Sequence, residues 1–167
     1  MTIGVRQAEP GDAEAIVALA SSVGGEPEGW LLSDARWRSV AAERRYVRAL
    51  RRHPDAALFV ATYGDEIVGR LSITCDPHPA SAHVADLGLM VAASHRSRGV
   101  GTLLMDVAER WAESVGVRKL ELHVFPHNEP AIALYTKLGY ITEGHRTLHY
   151  RRPDGSYADA ILMAKLL

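Results

Sequence analysis

A short segment rich in glycine and arginine has the composition of an anion-binding loop. Residues 95–102 read His-Arg-Ser-Arg-Gly-Val-Gly-Thr and lie between a predicted strand and a predicted amphipathic helix. The first backbone N–H groups of a helix have no partner inside it, and the helix dipole places about half a positive charge there. Gly99 and Gly101 let the backbone approach a ligand closely, and Arg96 and Arg98 add positive charge. The segment therefore predicts a site for a phosphate or pyrophosphate group.

Two common phosphate-binding motifs do not fit this loop. No Lys-Ser or Lys-Thr pair follows Gly101, so the residues with which a P-loop binds the terminal phosphate and magnesium are absent. Leu104 stands where a dinucleotide-binding fingerprint has its third glycine. The alternative to an anion site is an ordinary glycine-rich helix start with two surface arginines. Residues elsewhere in the chain must decide between these interpretations.

The loop and a second motif together resemble the GNAT superfamily of N-acetyltransferases. The R-x-x-G-x-G pattern of residues 96–101 matches the acetyl-coenzyme A loop of that family. Residues 128–140 are similar to its pattern of Asn, then Ala, then Leu-Tyr, then Gly-Tyr. The close resemblance covers about residues 57–143, with Ser97 where the family often has Gly and Ala93 where it often has Pro.

The resemblance implies that the chain binds acetyl-coenzyme A as a co-substrate. The residues that it assigns to the coenzyme lie in the strand before the loop, in the loop, and in the helix after Asn128. They are Leu89, Met90, Val91, Arg96, Ser97, Arg98, Gly99, Val100, Gly101, Thr102, Asn128, Ala131 and Tyr135. Among them, the N–H of Met90 or Val91 would polarise the thioester carbonyl as an oxyanion donor does. This role requires a strand edge that is splayed away from its neighbour.

Acetyl transfer from a thioester to an amine needs a proton donor for the departing thiolate and a base for the amine. The resemblance assigns the donor to Tyr135, because a phenol with a pKa near 10 suits a thiolate of similar basicity. An alkylamine with a pKa near 10.4 is mostly protonated at neutral pH, so a proton must leave before or during attack. His123, Asp86 and His83 are the candidate bases. The alternative for each of them is an ordinary polar residue of a strand, without a catalytic role.

The histidine pairs of the chain do not predict a metal site. His123 and His127 span a strand and a Pro-containing loop, and His145 and His149 lie in a predicted strand. Ligation at this i, i+4 spacing requires a helix face. Cys75 is the only cysteine, so neither an intramolecular disulfide nor a thiolate-rich metal site is expected.

Composition and charge indicate an ordinary folded domain without a global preference for anionic partners. The chain has 167 residues, of which 47% are hydrophobic and 23% charged, so we expect a single domain over residues 1–167. The 19 basic and 20 acidic residues give a net charge of -1, which favours neither nucleic acid nor a membrane as a partner. Seven arginines between Arg36 and Arg52 would be spread around one helix as a solvated face. No signal peptide or membrane-spanning run is present, so we expect a cytoplasmic protein.

Hydrophobic periodicity predicts the elements that must position these residues. Strands are predicted at residues 2–8, 57–62, 67–74, 83–91 and 120–125, with two more in 146–166 around the turn Arg152-Pro153-Asp154-Gly155. Helices are predicted after Asp12, from Ser33 to about Arg52, from Arg98 to Gly116, and from Asn128 to Leu138. The helical crossover makes strands 83–91 and 120–125 parallel neighbours. With the resemblance, this predicts an α/β (α+β) fold: a mixed central sheet of about seven strands, mostly antiparallel with one parallel splayed pair, flanked by about four helices.

The resemblance implies transfer of the acetyl group of acetyl-coenzyme A to the primary amine of a small molecule, such as an amino acid, a polyamine or a related amine. Residues 146–167 are similar to the tail of bacterial members that use such acceptors. The acceptor would lie against the N-terminal helices and the loops around Trp30 and residues 76–80, which the coenzyme constrains least. An N-terminal protein or peptide acetyltransferase and a non-catalytic acetyl-coenzyme A-binding module are the alternatives. The family resemblance is compatible with a homodimer.

Overall fold

Seven strands pair into one mixed sheet in the computed structural model, which describes residues 2–32 and 37–167. They are β1 (Ile3–Gln7), β2 (Ala56–Tyr63), β3 (Glu66–Cys75), β4 (Val84–Val91), β5 (Lys119–Val124), β6 (Ile141–Arg151) and β7 (Tyr157–Leu166). Their order across the sheet is β1-β2-β3-β4-β5-β7-β6. Neighbouring strands are antiparallel except β4 and β5, which are parallel. The predicted mixed sheet with one parallel pair is confirmed.

Four α-helices flank the sheet in the described part of the chain. They are α1 (Ala13–Gly24), α2 (Val40–Leu50), α3 (Val100–Ser114) and α4 (Glu129–Lys137). Helices α1 and α2 cover β2 to β4 on one face, where Ile16 and Val47 are buried in one core. Helices α3 and α4 cover the other face, where Leu104 and Tyr135 pack into a second core. Across the described ranges, no helix has both the length and the apolar character that crossing a membrane requires.

The second helix begins later than the sequence predicts. Ser33, its predicted N-cap, lies outside the described residues, and residues 37–39 are not helical. Ser39 has an extended backbone, and its hydroxyl accepts a hydrogen bond from the N–H of Ala42, so Ser39 is the N-cap of α2. Trp37, which falls within the predicted helix, instead precedes α2 and donates from Nε1 to the buried Glu43 carboxylate at 3.1 Å. The position of Trp37 therefore fits a helical spacing although the residue lies in a loop and packs through tertiary contacts.

The parallel strands β4 and β5 are paired only at one end. Residues 84–86 pair with residues 119–121, and the pairing does not continue along the rest of either strand. In contrast, β4 remains paired with β3 from Ala85 to Val91. The two strands therefore diverge, and β4 has a free edge from Leu87 to Val91. The fold thus contains the splayed strand edge that the proposed thioester site requires.

Candidate functional site

A cavity of about 470 Å³ opens between the diverging strands and the helices that follow them. Its walls are the free edge of β4, the loop before α3, the first turn of α3, and one face of α4. Twelve of the residues predicted to bind the coenzyme line it: Leu89, Met90, Val91, Arg96, Ser97, Gly99, Val100, Gly101, Thr102, Asn128, Ala131 and Tyr135. Arg98 is exposed and is not part of the lining. Two motifs that are far apart in sequence therefore meet in one cavity.

Several residues of the lining were not predicted from the sequence, although a helical spacing indicates some of them. They are Val23, Trp30, Leu31, His95, Pro130, Ala133, Leu134 and Lys137. The four residues on α4 recur at helical spacing along with Asn128 and Ala131, so the face of that helix was predictable. Trp30 and Leu31 reach the cavity only through tertiary structure, and no local pattern indicates that.

The loop before α3 presents unpaired backbone N–H groups to the cavity. The first hydrogen bond of the helix runs from the N–H of Leu103 to the carbonyl of Gly99 at 3.0 Å, which leaves the N–H groups of residues 100–102 without helical partners. No acidic residue lies in the first turn of α3 to neutralise this helix end. Ser97 and Gly99 both have left-handed backbone conformations, with φ of 58° and 83°. Such a sequence of conformations forms a concave nest for an anion.

The two glycines of the loop have different steric roles. A Cβ placed on Gly99 would meet nothing within 4 Å, so it would project into open space beside the loop. A Cβ placed on Gly101 would lie 2.8 Å from Cδ2 of Leu134, so Gly101 allows α3 and α4 to pack closely. The loop therefore leaves space for a ligand beside Gly99 and packs closely against α4 at Gly101. A binding site for the pyrophosphate of the coenzyme requires both features. These residues fit acetyl-coenzyme A.

The free edge of β4 offers its backbone groups to the same cavity. The N–H of Ala92 donates to the carbonyl of Val68 on β3 at 2.9 Å. Because backbone groups alternate in direction along a strand, the N–H of Met90 also faces β3, whereas those of Leu89 and Val91 face the splay. Of the two oxyanion donors that the sequence analysis considered, the N–H of Val91 is therefore the one that points into the cavity.

Arg96 lines the cavity, but its guanidinium is held by protein groups. Its Nη1 and Nη2 atoms each donate to the Glu26 carboxylate at 2.6 Å, and its Nε donates to the carbonyl of Val91 at 3.1 Å. The hydrogen bond from Arg96 lowers the pKa of Glu26, so the pair is ionised at neutral pH. The charge that was expected to face the anion is thus largely compensated. The backbone of the loop remains the principal anion-binding feature.

Residues 25–32, which we call the strap, cross the mouth of the splay. The indole N–H of Trp30 donates to Glu26 at 2.9 Å, next to the bonds from Arg96. The Trp30 ring stacks on His127 with a centroid separation of 5.7 Å, and Nε2 of His127 is hydrogen-bonded to the carbonyl of Glu28 at 2.8 Å. The strap therefore connects the loop before α3 with the segment between β5 and α4, and it covers the cavity from one side.

Asn128 and Tyr135 occupy the two positions on α4 that the resemblance predicts. Asn128 is the N-cap of the helix, and its side-chain oxygen accepts a hydrogen bond from the N–H of Ala131 at 3.3 Å. Tyr135 is only 6% exposed and packs against Tyr140. Burial raises the pKa of Tyr135, so its phenol stays protonated at neutral pH. The structure thus places a neutral phenol in the wall of the cavity, and its raised pKa makes it a weaker acid than a free tyrosine.

Asp86 and His123 lie outside the lining of this cavity. They are on the same face of the sheet as α1 and α2, in the part of it that these two helices do not cover. Asp86 pairs with Glu121 across β4 and β5, and His123 follows two residues later on the same side of β5. From β6, the hydroxyl of Tyr150 lies 2.7 Å from Nδ1 of His123, a hydrogen bond that leaves Nε2 of the ring for other partners. We call this set, together with Arg146 and His149 on β6, the polar face.

Burial, and after it the neighbouring charges, shift the pKa values of the two candidate bases in opposite directions. The Asp86 side chain reaches solvent but is crowded by protein; this burial, and then Glu121, raise its pKa to about 6, while Arg146 partly offsets them. Burial, followed by the electrostatic effects of Arg146 and His149, lowers the pKa of His123 below its usual 6.5. At neutral pH both groups are therefore mainly deprotonated and able to accept a proton.

His83 is separated from the site. It precedes β4 at the end opposite the loop, and its carbonyl accepts hydrogen bonds from the N–H groups of Arg118 and Lys119. Eight residues of strand separate it from Val91, a distance of roughly 26 Å. The structure therefore does not bring His83 together with the cavity. Within residues 2–32 and 37–167, no group of three or more His, Cys, Asp or Glu side chains is arranged to hold a metal ion.

A second, smaller cavity of about 190 Å³ adjoins the polar face. It lies between the strap and the turn that joins β6 to β7. Its lining includes Leu31, Phe125, Tyr150, Arg151 and Arg152. Leu31 of the strap lines both cavities, whereas no residue of the loop before α3 lines the smaller one.

Comparisons with known proteins agree with this geometry. Residues 27–140 match the model of the acetyltransferase (GNAT) family. The chain is 32% identical to the L-amino acid N-acetyltransferase AaaT of Escherichia coli (strain K12), with 98% of each chain covered.

Solved structures give the same result for the fold. An acetyltransferase of the GNAT family from Streptococcus pneumoniae is 27% identical, with a TM-score of 0.89 over 99% of this chain and 100% of that one. The structure of yncA from Salmonella typhimurium with its cofactor acetyl-CoA has a TM-score of 0.87 over 100% of this chain and 95% of that one. At 16% identity this second likeness concerns the fold alone.

The anion site predicts a specific effect of charge at Gly99. Gly99→Asp and Gly99→Ala share the strain of a left-handed conformation, but only Asp adds a negative charge beside the loop. At a separation of about 4 Å, repulsion between unit charges costs about 1 to 4 kcal/mol. We therefore expect Gly99→Asp to bind coenzyme A at least about fivefold more weakly than Gly99→Ala, as measured by titration calorimetry. Equal affinities of the two variants would contradict an anion site here.

Proposed function

The chain belongs to the acetyltransferase (GNAT) family, and from this premise we propose that it acetylates the amino group of a small α-amino acid or a closely related amino-carboxylate. The protein is an acetyl-coenzyme A-dependent N-acetyltransferase. The identity of the acceptor and the roles of the individual residues are the proposal. We also propose that residues 1–167 act as one catalytic domain, which the participation of all seven strands in one sheet supports.

The charge pattern of the polar face is the observation that carries the choice of acceptor. It combines the carboxylates of Asp86 and Glu121 with the guanidinium of Arg146. An α-amino acid has charges of both signs and can satisfy both, whereas a polyamine would bring only positive charge toward Arg146. The adjoining cavity of about 190 Å³ suits a small side chain better than a polypeptide. The similarity to an L-amino acid N-acetyltransferase supports the same choice.

The residues that hold the coenzyme follow from the lining of the larger cavity. Acetyl-coenzyme A supplies an acetyl thioester, and the N–H groups of residues 100–102 would bind its pyrophosphate. The backbone groups of Leu89 and Val91 would bind its extended arm as a neighbouring strand would. The N–H of Val91 then donates to the carbonyl oxygen of the acetyl group and stabilises the negative charge that forms during attack.

Proton transfer is assigned to two residues on opposite sides of the splay. Tyr135 donates a hydrogen bond to the departing sulfur from the cavity wall, where burial keeps its phenol protonated. His123 accepts the proton of the amine at Nε2, in the tautomer whose Nδ1–H donates to the oxygen of Tyr150. Because Asp86 pairs with Glu121, His123 lies about level with Gly88. His123 is therefore two residues closer than Asp86 to Val91, which would bind the thioester carbonyl. We therefore propose His123 as the base and Asp86 as its alternative through water.

An acceptor screen with thiol detection tests the proposed reaction. Free coenzyme A should be released from acetyl-coenzyme A with an α-amino acid, and the matching amino-acid amide should react more slowly because it lacks the carboxylate. Arg146→Met should remove this difference.

Tyr135→Phe should keep coenzyme affinity within about threefold and lower the single-turnover rate by roughly 10²- to 10⁴-fold, since only the proton donor is lost.

Two other outcomes would contradict the proposed acceptor. Release of thiol with polyamines or peptide N-termini, but with no amino acid, would move the function to another acceptor class. Binding of acetyl-coenzyme A without any acetyl transfer would indicate a binding module.

The pH dependence of kcat/KM identifies the base. A base works when it is deprotonated, so kcat/KM should rise with pH and level off above the pKa of the group. If His123 is the base, the wild-type inflection lies below 6.5, and His123→Ala removes it while Asp86→Asn retains it. If Asp86 is the base, the inflection lies at about 6 and only Asp86→Asn removes it. Persistence of the inflection in His123→Ala would exclude His123 as the base.

A further inference from the structure

Strand β6 contains a wide bulge next to the polar face. The residue pairs on either side of Asp159 of β7 are Arg146 with Ala160 and Tyr150 with Ala158. Residues 147–149 of β6 are therefore all opposite Asp159, where a regular ladder has one residue. The two additional residues move Tyr150 into the position opposite Ala158 that Leu148 would otherwise occupy. The bulge thus decides which side chain of β6 points toward the polar face at this level.

One carboxylate holds this bulge. Oδ1 of Asp159 accepts a hydrogen bond from the N–H of Leu148 at 2.7 Å, and Oδ2 lies 2.7 Å from Nε2 of His145. Leu148 has a φ of 49°, a left-handed conformation that is uncommon for residues other than glycine. Its side chain is 62% exposed, so burial of the leucine contributes little to holding that conformation. The hydrogen bond to Asp159 therefore stabilises a backbone conformation that the Leu148 side chain does not.

Residues in and directly after the bulge contact the proposed base His123. Strand β7 lies between β5 and β6 in the sheet, yet the hydroxyl of Tyr150 is 2.7 Å from Nδ1 of His123. The ring of His149, which belongs to the bulge, meets the His123 ring edge-on at a centroid separation of 5.4 Å. A bulge bends its strand and increases the local twist, which explains how these side chains reach across β7. The orientation of the His123 ring thus depends on the bulge.

Asp159 itself lies on the other side of the sheet from His123. Because His123 pairs with Leu162 of β7, the side chains of these two residues are on the same side. Asp159 is three residues from Leu162, so alternation along the strand places its side chain on the opposite side, in step with Met163 in the core beneath α3 and α4. Any effect of Asp159 on His123 is therefore transmitted through the backbone of β6.

We propose that Asp159 is a positioning residue for acetyl transfer. By holding the bulge of β6, it keeps Tyr150 bonded to Nδ1 of His123 and so directs Nε2 of the ring toward the amine of the acceptor. The proposal rests on the role of His123 given under Proposed function. It adds a residue that lines neither cavity and acts from the far side of the sheet.

The tautomer of the neutral His123 ring tests this geometry without any measurement of activity. The nitrogen NMR resonances of the ring are assigned by their loss in His123→Ala. The wild-type protein should keep the proton on Nδ1, and Asp159→Ala should give a mixture of both tautomers, because the bond to Tyr150 is no longer held. Asp159→Asn, whose amide oxygen can still accept from the N–H of Leu148, should retain the wild-type tautomer.

Kinetics with the acceptor separate positioning from a general loss of stability. Asp159→Ala should lower kcat/KM for the acceptor by about 10- to 100-fold, while affinity for coenzyme A stays within about twofold. Because Asp159 acts through Tyr150, the double variant with Tyr150→Phe should be no slower than the slower single variant. Glu143→Ala is the matched control, since it removes a similarly exposed carboxylate of β6 from its ion pair with Lys119, and it should change neither the tautomer nor kcat/KM.

Several results would overturn the proposal, and they differ in what they imply. An unchanged tautomer in Asp159→Ala, or independent effects of the Asp159 and Tyr150 substitutions, would show that Asp159 does not act through the Tyr150 contact. Equal losses in Asp159→Ala and Glu143→Ala would indicate only a less stable pair of strands. A changed tautomer with an unchanged kcat/KM would show that His123 is not the base, so the proposal would fail together with the proposed function.

Discussion

The divergence of two parallel strands is the constraint on which the site depends. β4 keeps its ladder with β3 along its length, but it shares only three residue pairs with β5. Beyond that point the N–H groups of Leu89 and Val91 face a cavity instead of a strand. Backbone groups away from water need partners, so this edge favours an extended ligand with amide groups of its own. A pantetheine arm satisfies that requirement, and the resulting bonds would fix the thioester relative to Tyr135.

Several local contacts shape the cavity between the diverging strands. Gly101 lets α3 approach α4 closely, so the anion-binding loop and the helix that starts at Asn128 form one wall. The strap spans the opposite side through Glu26, which is bonded to Arg96, and through the stacking of Trp30 on His127. The larger cavity and the polar face have no side chain in common. In the proposed reaction, the coenzyme would occupy the larger cavity and the acceptor would approach from the polar face.

Residues that act through local backbone geometry were predictable from the sequence. The loop that ends in Gly99 and Gly101 and the cap at Asn128 depend on short spacings, and the structure places these residues as expected. Ser97 stands where a glycine is common, and its left-handed φ of 58° explains that preference. The mixed sheet with its parallel pair followed from the order of elements and the resemblance.

Residues that act through tertiary contacts were not predictable in the same way. Arg96 was assigned to the anion from its position in the motif, but its partner Glu26 is 70 residues away in sequence. The late start of α2 depends on the contact between Trp37 and Glu43, which no helical period reveals. The roles of Tyr135, His123 and Asp86 stay predictions.

Residue-resolved amide hydrogen exchange tests most directly whether the free edge of β4 receives the coenzyme arm. Saturating coenzyme A should slow exchange at Leu89 and Val91 by at least about tenfold, because their N–H groups gain hydrogen-bond acceptors. The N–H of Met90 already faces β3 and should change much less. Protection confined to residues 97–102, with Leu89 and Val91 unchanged, would show that the coenzyme binds through its pyrophosphate without entering the splay and would contradict this account.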